Sequence, residues 1–174
     1  MIYKARYGMY YFLPLFAIIT YIIFLILPSD SPFIQFGKVF YLLFMLFAIL
    51  ISVDILRGFK IANNIEKTTR ERILKANREL FFTFVSAICV IHVTSLGIEY
   101  YNSKTIYFGR FRKYRNKDFF IPFEEIVKMK NKVGITFIYL KDGTNSYVSF
   151  DSNKCAMEKF IKIVEDKKKA LAEN

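Results

Sequence analysis

The composition is divided between a membrane-like part and a soluble part. With 174 residues, of which 54% are apolar and 24% charged, the chain is more apolar than an ordinary soluble domain. The formal net charge of +11 is explained by attraction to anionic lipid headgroups, so nucleic acid is not needed as a partner. A single histidine and two widely separated cysteines argue against zinc sites, disulfide frameworks and histidine-based catalysis. We therefore expect a protein that is not an enzyme and needs no metal or other cofactor.

Two apolar segments near the N terminus predict a transmembrane helical hairpin over residues 1–57. The spans are residues 10–27 and residues 39–56, each about eighteen residues long, which suits a helix that crosses hydrocarbon. From position 10 to position 56 the only charged residues are Asp30, Lys38 and Asp54. The segment between the spans is rich in proline and serine, which indicates a turn. Asp54 lies near the end of the second span, where local pairing explains it better than an ion path.

Basic residues near the spans predict the orientation of the hairpin. Lys4 and Arg6 precede the first span, and Arg57 and Lys60 follow the second, whereas only Lys38 lies between the spans. Loops rich in lysine and arginine stay on the cytoplasmic side of a membrane. Both termini are therefore predicted to be cytoplasmic.

Residues 58–79 predict an amphipathic connector helix. Residues at helical spacing form a thin apolar stripe, which consists of Ile61, Ile65, Thr69, Ile73, Ala76 and Leu80. Such a helix lies on the inner leaflet or packs on a soluble domain. The thinness of the stripe favours packing on the domain.

Residues 80–98 are compatible with a third span or with strands. We favour strands, because β-branched residues are frequent and several threonines and serines interrupt the apolar run. A third crossing would also export the basic cluster at residues 110–117, against the positive-inside rule. The soluble domain is therefore predicted to begin at residue 80 and to remain cytoplasmic.

Short alternating segments between residues 98 and 150 predict further strands. The tetrapeptide Lys141–Thr144 (KDGT) joins two such segments, as expected for a β-hairpin. A closing helix is predicted from Asn153 to about Leu171, with Asp151 or Ser152 as its cap.

Three segments of this domain resemble the bacterial pleckstrin-homology-like (PH-like) domains of small two-span membrane proteins. They are VTSLGIEYY at Val93–Tyr101, IPFEEIVKMK at Ile121–Lys130 and FIYLKDGTNSYVSF at Phe137–Phe150. The resemblance covers residues 80–169 and the two-span arrangement. It implies a membrane α-helical hairpin followed by an α+β domain, in which a C-terminal helix closes a PH-like antiparallel sheet or barrel. It also implies a multi-pass protein of the bacterial inner membrane with a binding or scaffolding role.

The sharpest local feature is a basic cluster in residues 110–117. Its candidate anion-binding or lipid-binding residues are Arg110, Arg112, Lys113, Arg115 and Lys117. Such a cluster forms charge-assisted contacts with phosphate, or it is simply a solvated loop. Glu124 and Glu125 are adjacent, and adjacent residues in a strand point to opposite faces, so we do not expect a catalytic pair.

Three functions agree with these features. The first is a membrane-tethered PH-like module that binds anionic lipid or a membrane-protein partner. The second is an immunity protein that neutralises a bacterial toxin. The third is a structural subunit of a membrane complex, which would use Phe40, Phe44 and Phe47 as a packing face. The lipid bilayer is a partner in each case, and the oligomeric state stays open.

Overall fold

A computed structural model describes residues 1–5, 9–26, 32–103, 116–132, 134–150 and 153–173. The chain forms two compact units, of which one comprises residues 6–57 and the other comprises residues 1–5 with residues 58–174. We call them the apolar unit and the sheet unit. In chain order the elements are β1 (Ile2–Lys4), α1 (Met9–Ile26), α2 (Pro32–Lys75), β2 (Leu80–Val85), β3 (Cys89–Thr94), β4 (Gly97–Ser103), β5 (Asn116–Pro122), a 3₁₀ turn (Phe123–Glu125), β6 (Ile126–Lys132), β7 (Ile135–Leu140), β8 (Asn145–Ser149) and α3 (Lys154–Ala172).

The apolar unit consists of α1 and the first part of α2. The Tyr21 and Tyr41 rings stack with their centroids 6.1 Å apart, and the Tyr41 hydroxyl is hydrogen-bonded to the Thr20 hydroxyl. Many of its large apolar side chains are exposed, including Phe12 at 69% and Phe40 at 66%. Among the described residues, one helix, Gln35–Lys75, is long and apolar enough to cross a membrane, and Tyr10–Ile26 forms a shorter apolar helix.

The second apolar segment and the connector form one helix rather than two. α2 runs for 44 residues from Pro32 to Lys75. No proline interrupts this stretch, and the change from apolar to polar residues does not break the backbone hydrogen bonds of a helix. Gly58 lies inside the helix and does not separate a span from a connector.

The first sheet has five strands in the order β1-β2-β3-β4-β5. β1 runs parallel to β2, and the other neighbours are antiparallel. Residues 80–98 form β2, β3 and the start of β4, so the prediction of strands in place of a third span is confirmed. Residues 1–5, which the sequence analysis grouped with the hairpin, belong to the sheet unit.

The second sheet has three antiparallel strands in the order β6-β7-β8. α3 follows it and begins after Asn153, whose Oδ1 accepts a hydrogen bond from the Ala156 N–H at 3.0 Å. The cap is therefore Asn153, whereas the two predicted cap residues, Asp151 and Ser152, lie outside the described residues. Asparagine is as good a cap as aspartate or serine, because its side-chain oxygen satisfies a free backbone N–H.

The main core lies between the two sheets and α3. Phe150 contacts both Phe84 and Phe160, with ring centroids 5.0 Å and 5.1 Å apart, and Phe82 lies 5.9 Å from Phe160. All four rings are fully buried. The predicted layout of helices followed by an α+β unit with a C-terminal helix is confirmed. The described strands form two sheets and do not close into a single barrel.

The second part of α2 covers the other face of the five-stranded sheet. Ala62 packs with Val85, Val90 and Tyr101, and Ile65 lies beside them. The expected packing of the connector on the soluble domain is therefore confirmed. The buried residues of this helical stretch include Ala62, Glu66, Thr69 and Ile73. Two of these four are polar, and they form part of a polar layer between helix and sheet.

Candidate anion-binding cleft

A cleft with a volume of about 390 Å³ opens where the end of α2 approaches β4 and β5. Its lining combines charged, aromatic and apolar side chains, namely Arg72, Ile73, Ala76, Arg78, Glu99, Tyr101, Phe119 and Phe120. The residues come from three separate stretches of the sheet unit. The cleft is therefore a product of tertiary packing.

The end of α2 places one arginine on each side of the helix terminus. Asn77 adopts a left-handed conformation, with φ of 52°. The N–H of Asn77 donates to the Leu74 carbonyl at 3.0 Å, and the N–H of Arg78 donates to the Ile73 carbonyl at 3.1 Å. This pair of hydrogen bonds is a Schellman motif, which stops the helix and reverses the chain. As a result, Arg72 in the last turn and Arg78 beyond it approach the same strand.

Glu99 on β4 is the charged residue that both arginines contact. It lies opposite His92 on β3 and opposite Phe120 on β5. Its Oε2 is 3.3 Å from Arg72 Nη2, and its Oε1 is 3.1 Å from Arg78 Nη1. Only 8% of the Glu99 side chain is exposed. Because a buried carboxylate is stable only with charged partners, the two arginines compensate the burial of Glu99.

Tyr101, two residues after Glu99 on β4, extends this network of hydrogen bonds. Its hydroxyl accepts a hydrogen bond from Arg72 Nη2 and donates one to Glu99 Oε2 at 3.2 Å. Burial, reinforced by the negative charge of Glu99, raises the pKa of Tyr101 above its usual 10.0. The hydroxyl therefore stays protonated and serves as a donor in the floor of the cleft.

His92 lies beside this network in the polar layer under α2. Its side chain is fully buried, and its Nδ1 is 3.0 Å from the Thr83 hydroxyl. Burial, together with the positive charges of Arg70 and Arg72, lowers the pKa of His92 to about 4. His92 is thus neutral at physiological pH and adds no charge to the site. Its Nε2 has no hydrogen-bond partner among the described residues.

The balance of charge favours an anion. Two guanidinium groups face one buried carboxylate, and 65% of the Arg72 side chain and 37% of the Arg78 side chain are exposed. A guanidinium has five N–H donors, so an arginine can contact Glu99 and an anionic ligand at the same time. The exposed rings of Phe119 and Phe120 add an apolar wall. The cleft is therefore suited to a carboxylate or phosphate group attached to an apolar body.

The basic cluster predicted as an anion site lies mostly outside the described residues. Arg110, Arg112, Lys113 and Arg115 fall within residues 104–115, which are not described. The backbone of Lys117 belongs to β5, where Lys117 is paired with Asn102.

Glu124 and Glu125 do not lie in a strand. They form a 3₁₀ turn with Phe123, after Pro122 in an extended conformation, and both glutamates are exposed. The strand geometry that the sequence analysis used to separate them was therefore wrong. Proline favours an extended conformation followed by a turn, so the backbone changes direction here.

Sequence reasoning did not identify Arg72, Arg78, Glu99 or Tyr101 as site residues. One signal was present in β4, where Glu99 is the only acidic residue in a strand of otherwise apolar, aromatic and small polar residues. A glutamate in a buried strand requires a cation nearby. The identity of that cation depends on how α2 packs, which the sequence does not reveal.

Comparison with known proteins gives no family assignment. No protein-family model, no curated protein and no solved structure matches this chain. The function is therefore argued from the cleft and from the organisation of the chain.

Proposed function

We propose that this chain is a membrane-tethered, non-enzymatic binding module of the bacterial inner membrane. Its hairpin crosses the bilayer twice, and its cytoplasmic PH-like unit binds an anionic group of a lipid headgroup or of a membrane-protein partner. The observation that carries this proposal is the cleft in which Arg72 and Arg78 converge on a single buried carboxylate, Glu99. Their excess positive charge and the adjacent phenylalanines favour an anionic ligand with an apolar part.

Exposed apolar side chains support the membrane tether. In the apolar unit, large side chains such as Phe16, Ile26 and Leu50 are more than half exposed. Soluble proteins rarely expose contiguous apolar patches of this kind to water, whereas lipid covers them without cost. The apolar unit is therefore best accommodated in a bilayer.

The position of β1 supports an even number of crossings. Residues 1–5 precede the apolar unit and residues from Gly58 follow it, yet both belong to the sheet unit. The Met1 carbonyl accepts a hydrogen bond from the Thr83 N–H at 2.8 Å, and the Ala5 N–H donates to the Val85 carbonyl at 2.8 Å. A chain that leaves one side of a membrane and returns to the same folded unit must cross an even number of times. Two crossings, by α1 and by α2, meet this condition.

The flanking charges support a cytoplasmic sheet unit. Lys4 precedes the apolar unit, and Arg57 and Lys60 lie where it ends. Positive residues close to spans are retained in the cytoplasm. The rest of the sheet unit must then lie on the same side.

The order of strands supports the PH-like assignment. Four consecutive antiparallel strands, β2 to β5, are followed by the three-stranded meander β6 to β8 and by the closing helix α3. This order agrees with what the resemblance at residues 80–169 implies. Such a domain commonly offers a binding surface on a rigid scaffold.

The cleft is tested with the full chain in phosphatidylcholine nanodiscs. We expect dioctanoyl phosphatidic acid to raise the thermal unfolding temperature, because a ligand that binds only the folded state stabilises it. Inorganic phosphate should give a smaller increase if the apolar wall contributes. Dioctanoyl phosphatidylcholine, which carries no net charge, should have little effect.

Matched variants assign the effect to the cleft. The triple variant Arg72→Gln, Arg78→Gln and Glu99→Gln removes all three charged groups together, so it should abolish the ligand-induced increase without leaving a buried charge unpaired. Glu99→Gln alone should enlarge the increase, because the internal competitor for both arginines is lost. Lys154→Gln with Lys162→Gln, two exposed changes on α3, should leave the increase unchanged. An equal increase in the cleft triple variant and in the native chain would contradict the proposal.

A further inference from the structure

The outer face of the three-stranded sheet carries a basic and aromatic surface that the cleft does not involve. The strand register arranges its residues in three rows of three: Lys128–Tyr139–Asn145, Lys130–Phe137–Tyr147 and Lys132–Ile135–Ser149. We call this surface the basic sheet face. None of these nine described residues is acidic.

The basic sheet face is accessible, whereas the opposite face of the same sheet belongs to the core. Ile138 and Val148 on the inner side are fully buried. On the outer side the three lysines are exposed, Tyr147 is 52% exposed, and the aromatic and aliphatic residues of β7 are partly exposed. A sheet with one covered face and one open face normally has polar residues on the open face. Here the middle of the open face is occupied by Ile135, Phe137 and Tyr139.

The lysines form a regular row along an edge strand. Alternate residues of a strand point to the same side and lie about 7 Å apart, so Lys128, Lys130 and Lys132 present three positive charges at this interval. Lys128 Nζ also lies 5.1 Å from the centre of the Tyr139 ring. Lysines on an edge strand hinder pairing with other chains. That role alone does not require aromatic residues on the neighbouring strand.

The combination of a cationic row and an aromatic stripe matches the surface of an anionic bilayer. Lysines interact with anionic headgroups, and aromatic side chains favour the interfacial region of a membrane. Single-stranded nucleic acid presents phosphates and flat bases, which would also suit such a surface. We choose the bilayer because the proposed tether keeps this unit beside a membrane at high effective concentration, and in this respect the inference depends on the proposed function.

We propose that the basic sheet face is a docking surface for anionic phospholipid, with the lysine row on the headgroups and Phe137, Tyr139 and Tyr147 in the interfacial region. The contact is separate from ligand binding in the cleft. It brings a second part of the sheet unit to the membrane surface. Membranes richer in anionic lipid should therefore hold this face more firmly.

A single tryptophan reports on this contact, because the native chain contains none. Tyr147→Trp places the reporter on the basic sheet face, and Leu96→Trp places a control at the exposed turn between β3 and β4. The full chain is inserted into nanodiscs of phosphatidylcholine with or without phosphatidylglycerol. We expect phosphatidylglycerol to shift the Tyr147→Trp emission to shorter wavelength and to reduce its quenching by acrylamide at least twofold. The control should not respond.

Charge-matched variants attribute the response to the lysine row. In the Tyr147→Trp background, Lys128→Gln, Lys130→Gln and Lys132→Gln together should remove the response. The control is Lys154→Gln, Lys162→Gln and Lys169→Gln, which removes the same charge from exposed positions on α3. An unchanged response in the first triple variant would overturn the proposal. So would a response to single-stranded oligonucleotide in neutral nanodiscs together with none to phosphatidylglycerol.

A separate experiment tests whether the chain is inserted in the membrane, independently of the docking surface. Extraction of the native chain from membranes by alkaline carbonate would overturn the proposed tether. Phosphatidylglycerol vesicles added to the extracted Tyr147→Trp chain would then decide the docking surface by the same shift in emission. A chain that resists extraction and shows no shift would overturn the docking surface alone.

Discussion

At the scale of single residues, His92 illustrates how a polar group is accommodated between a helix and a sheet. The Thr83 hydroxyl lies 3.0 Å from Nδ1, and the Tyr101 ring packs edge-on with its centroid 6.2 Å away. Neutral imidazole is compatible with this environment, whereas imidazolium would lie buried near the positive charges of Arg70 and Arg72. Protonation of His92 therefore opposes folding.

The pKa of His92 predicts a loss of stability in mild acid. It falls from an ordinary 6.5 to about 4 in the folded state, so the unfolded state binds more protons between these values. The stabilisation is complete above pH about 6.5, is lost as the pH falls towards about 4, and amounts to about 3 kcal/mol at most. The free energy of unfolding, measured by denaturant titration across this range, checks the prediction.

His92→Gln is the matched variant for this measurement. It keeps a polar side chain beside Thr83 but does not titrate, so the free energy of unfolding should depend far less on pH between about 6.5 and about 4. Hydrogen bonds from Thr144 lower the pKa of the Asp142 carboxyl below the usual 3.8, so Asp142 adds to the acid sensitivity near pH 4, but equally in the variant and in the native chain. If the free energy of unfolding depends on pH equally in the variant and in the native chain, groups other than His92 cause the acid sensitivity.

Gly58 is needed where α2 meets the turn between β2 and β3. A Cβ at this position would lie 2.6 Å from the Ala87 carbonyl oxygen and 3.2 Å from the Ala87 Cβ. Gly58→Ala gains about 1 kcal/mol in helix propensity, but the clash with backbone should produce a net destabilisation of about 1–3 kcal/mol. Asn64→Ala, an exposed change in the same helix, should stabilise slightly. Thermal unfolding of both variants tests this packing, and a more stable Gly58→Ala would contradict it.

At the scale of elements, local patterns predicted the hairpin of β7 and β8 and the closing helix. Two alternating segments around Asp142-Gly143 predicted the hairpin that β7 and β8 form. Gly143 has φ of 82°, and Asp142 Oδ1 accepts a hydrogen bond from the Thr144 N–H at 2.8 Å. In such segments the residues that determine the structure are neighbours in the sequence, so the pattern is sufficient.

Elements that depend on distant partners were not predictable. β1 has three residues and exists because β2, about eighty residues later, offers a free edge. The cleft also depends on contacts between distant parts of the sequence. Arg72 and Arg78 reach Glu99 only after the Schellman motif turns the chain over β4. Patterns within short sequence segments do not predict such long-range pairings. Only the unusual glutamate in a buried strand indicated that a cation must be near.

The pairing of β1 with β2 yields a prediction at this scale. Tyr3→Pro removes the N–H of the central residue of β1, so the strand should detach and the free energy of unfolding should fall by about 1–3 kcal/mol. The Thr83 amide, which donates to the Met1 carbonyl, should then exchange its hydrogen faster.

Two controls accompany the Tyr3→Pro measurement. Tyr3→Phe keeps the backbone N–H and the ring that stacks on Phe82 at 5.4 Å, so its exchange should match the native chain. The Ser86 amide, which bonds within the turn between β2 and β3, should exchange at the native rate in both variants. Native protection of the Thr83 amide in Tyr3→Pro would show that β1 does not stabilise the sheet.

At the scale of the whole molecule, the apolar unit is an insertion within the sheet unit. Residues 6–57 form the apolar unit, and the residues on both sides of it belong to the same fold. This arrangement links the two functional proposals, because it requires the cleft and the basic sheet face to lie on the same side of the membrane as β1. The side on which the sheet unit lies is therefore the central claim.

The most direct test is labelling of Cys155 in intact cells. Cys155 is exposed on α3, whereas Cys89 is buried and is replaced by Ser for this experiment. A membrane-impermeant maleimide should not label Cys155 until the cells are opened, and it should label Ser29→Cys, in the segment that is predicted to connect the spans, without opening them. Protection of Cys155 with labelling at position 29 is the result that a cytoplasmic sheet unit and a two-span hairpin predict. Labelling of Cys155 in intact cells would contradict the cytoplasmic sheet unit.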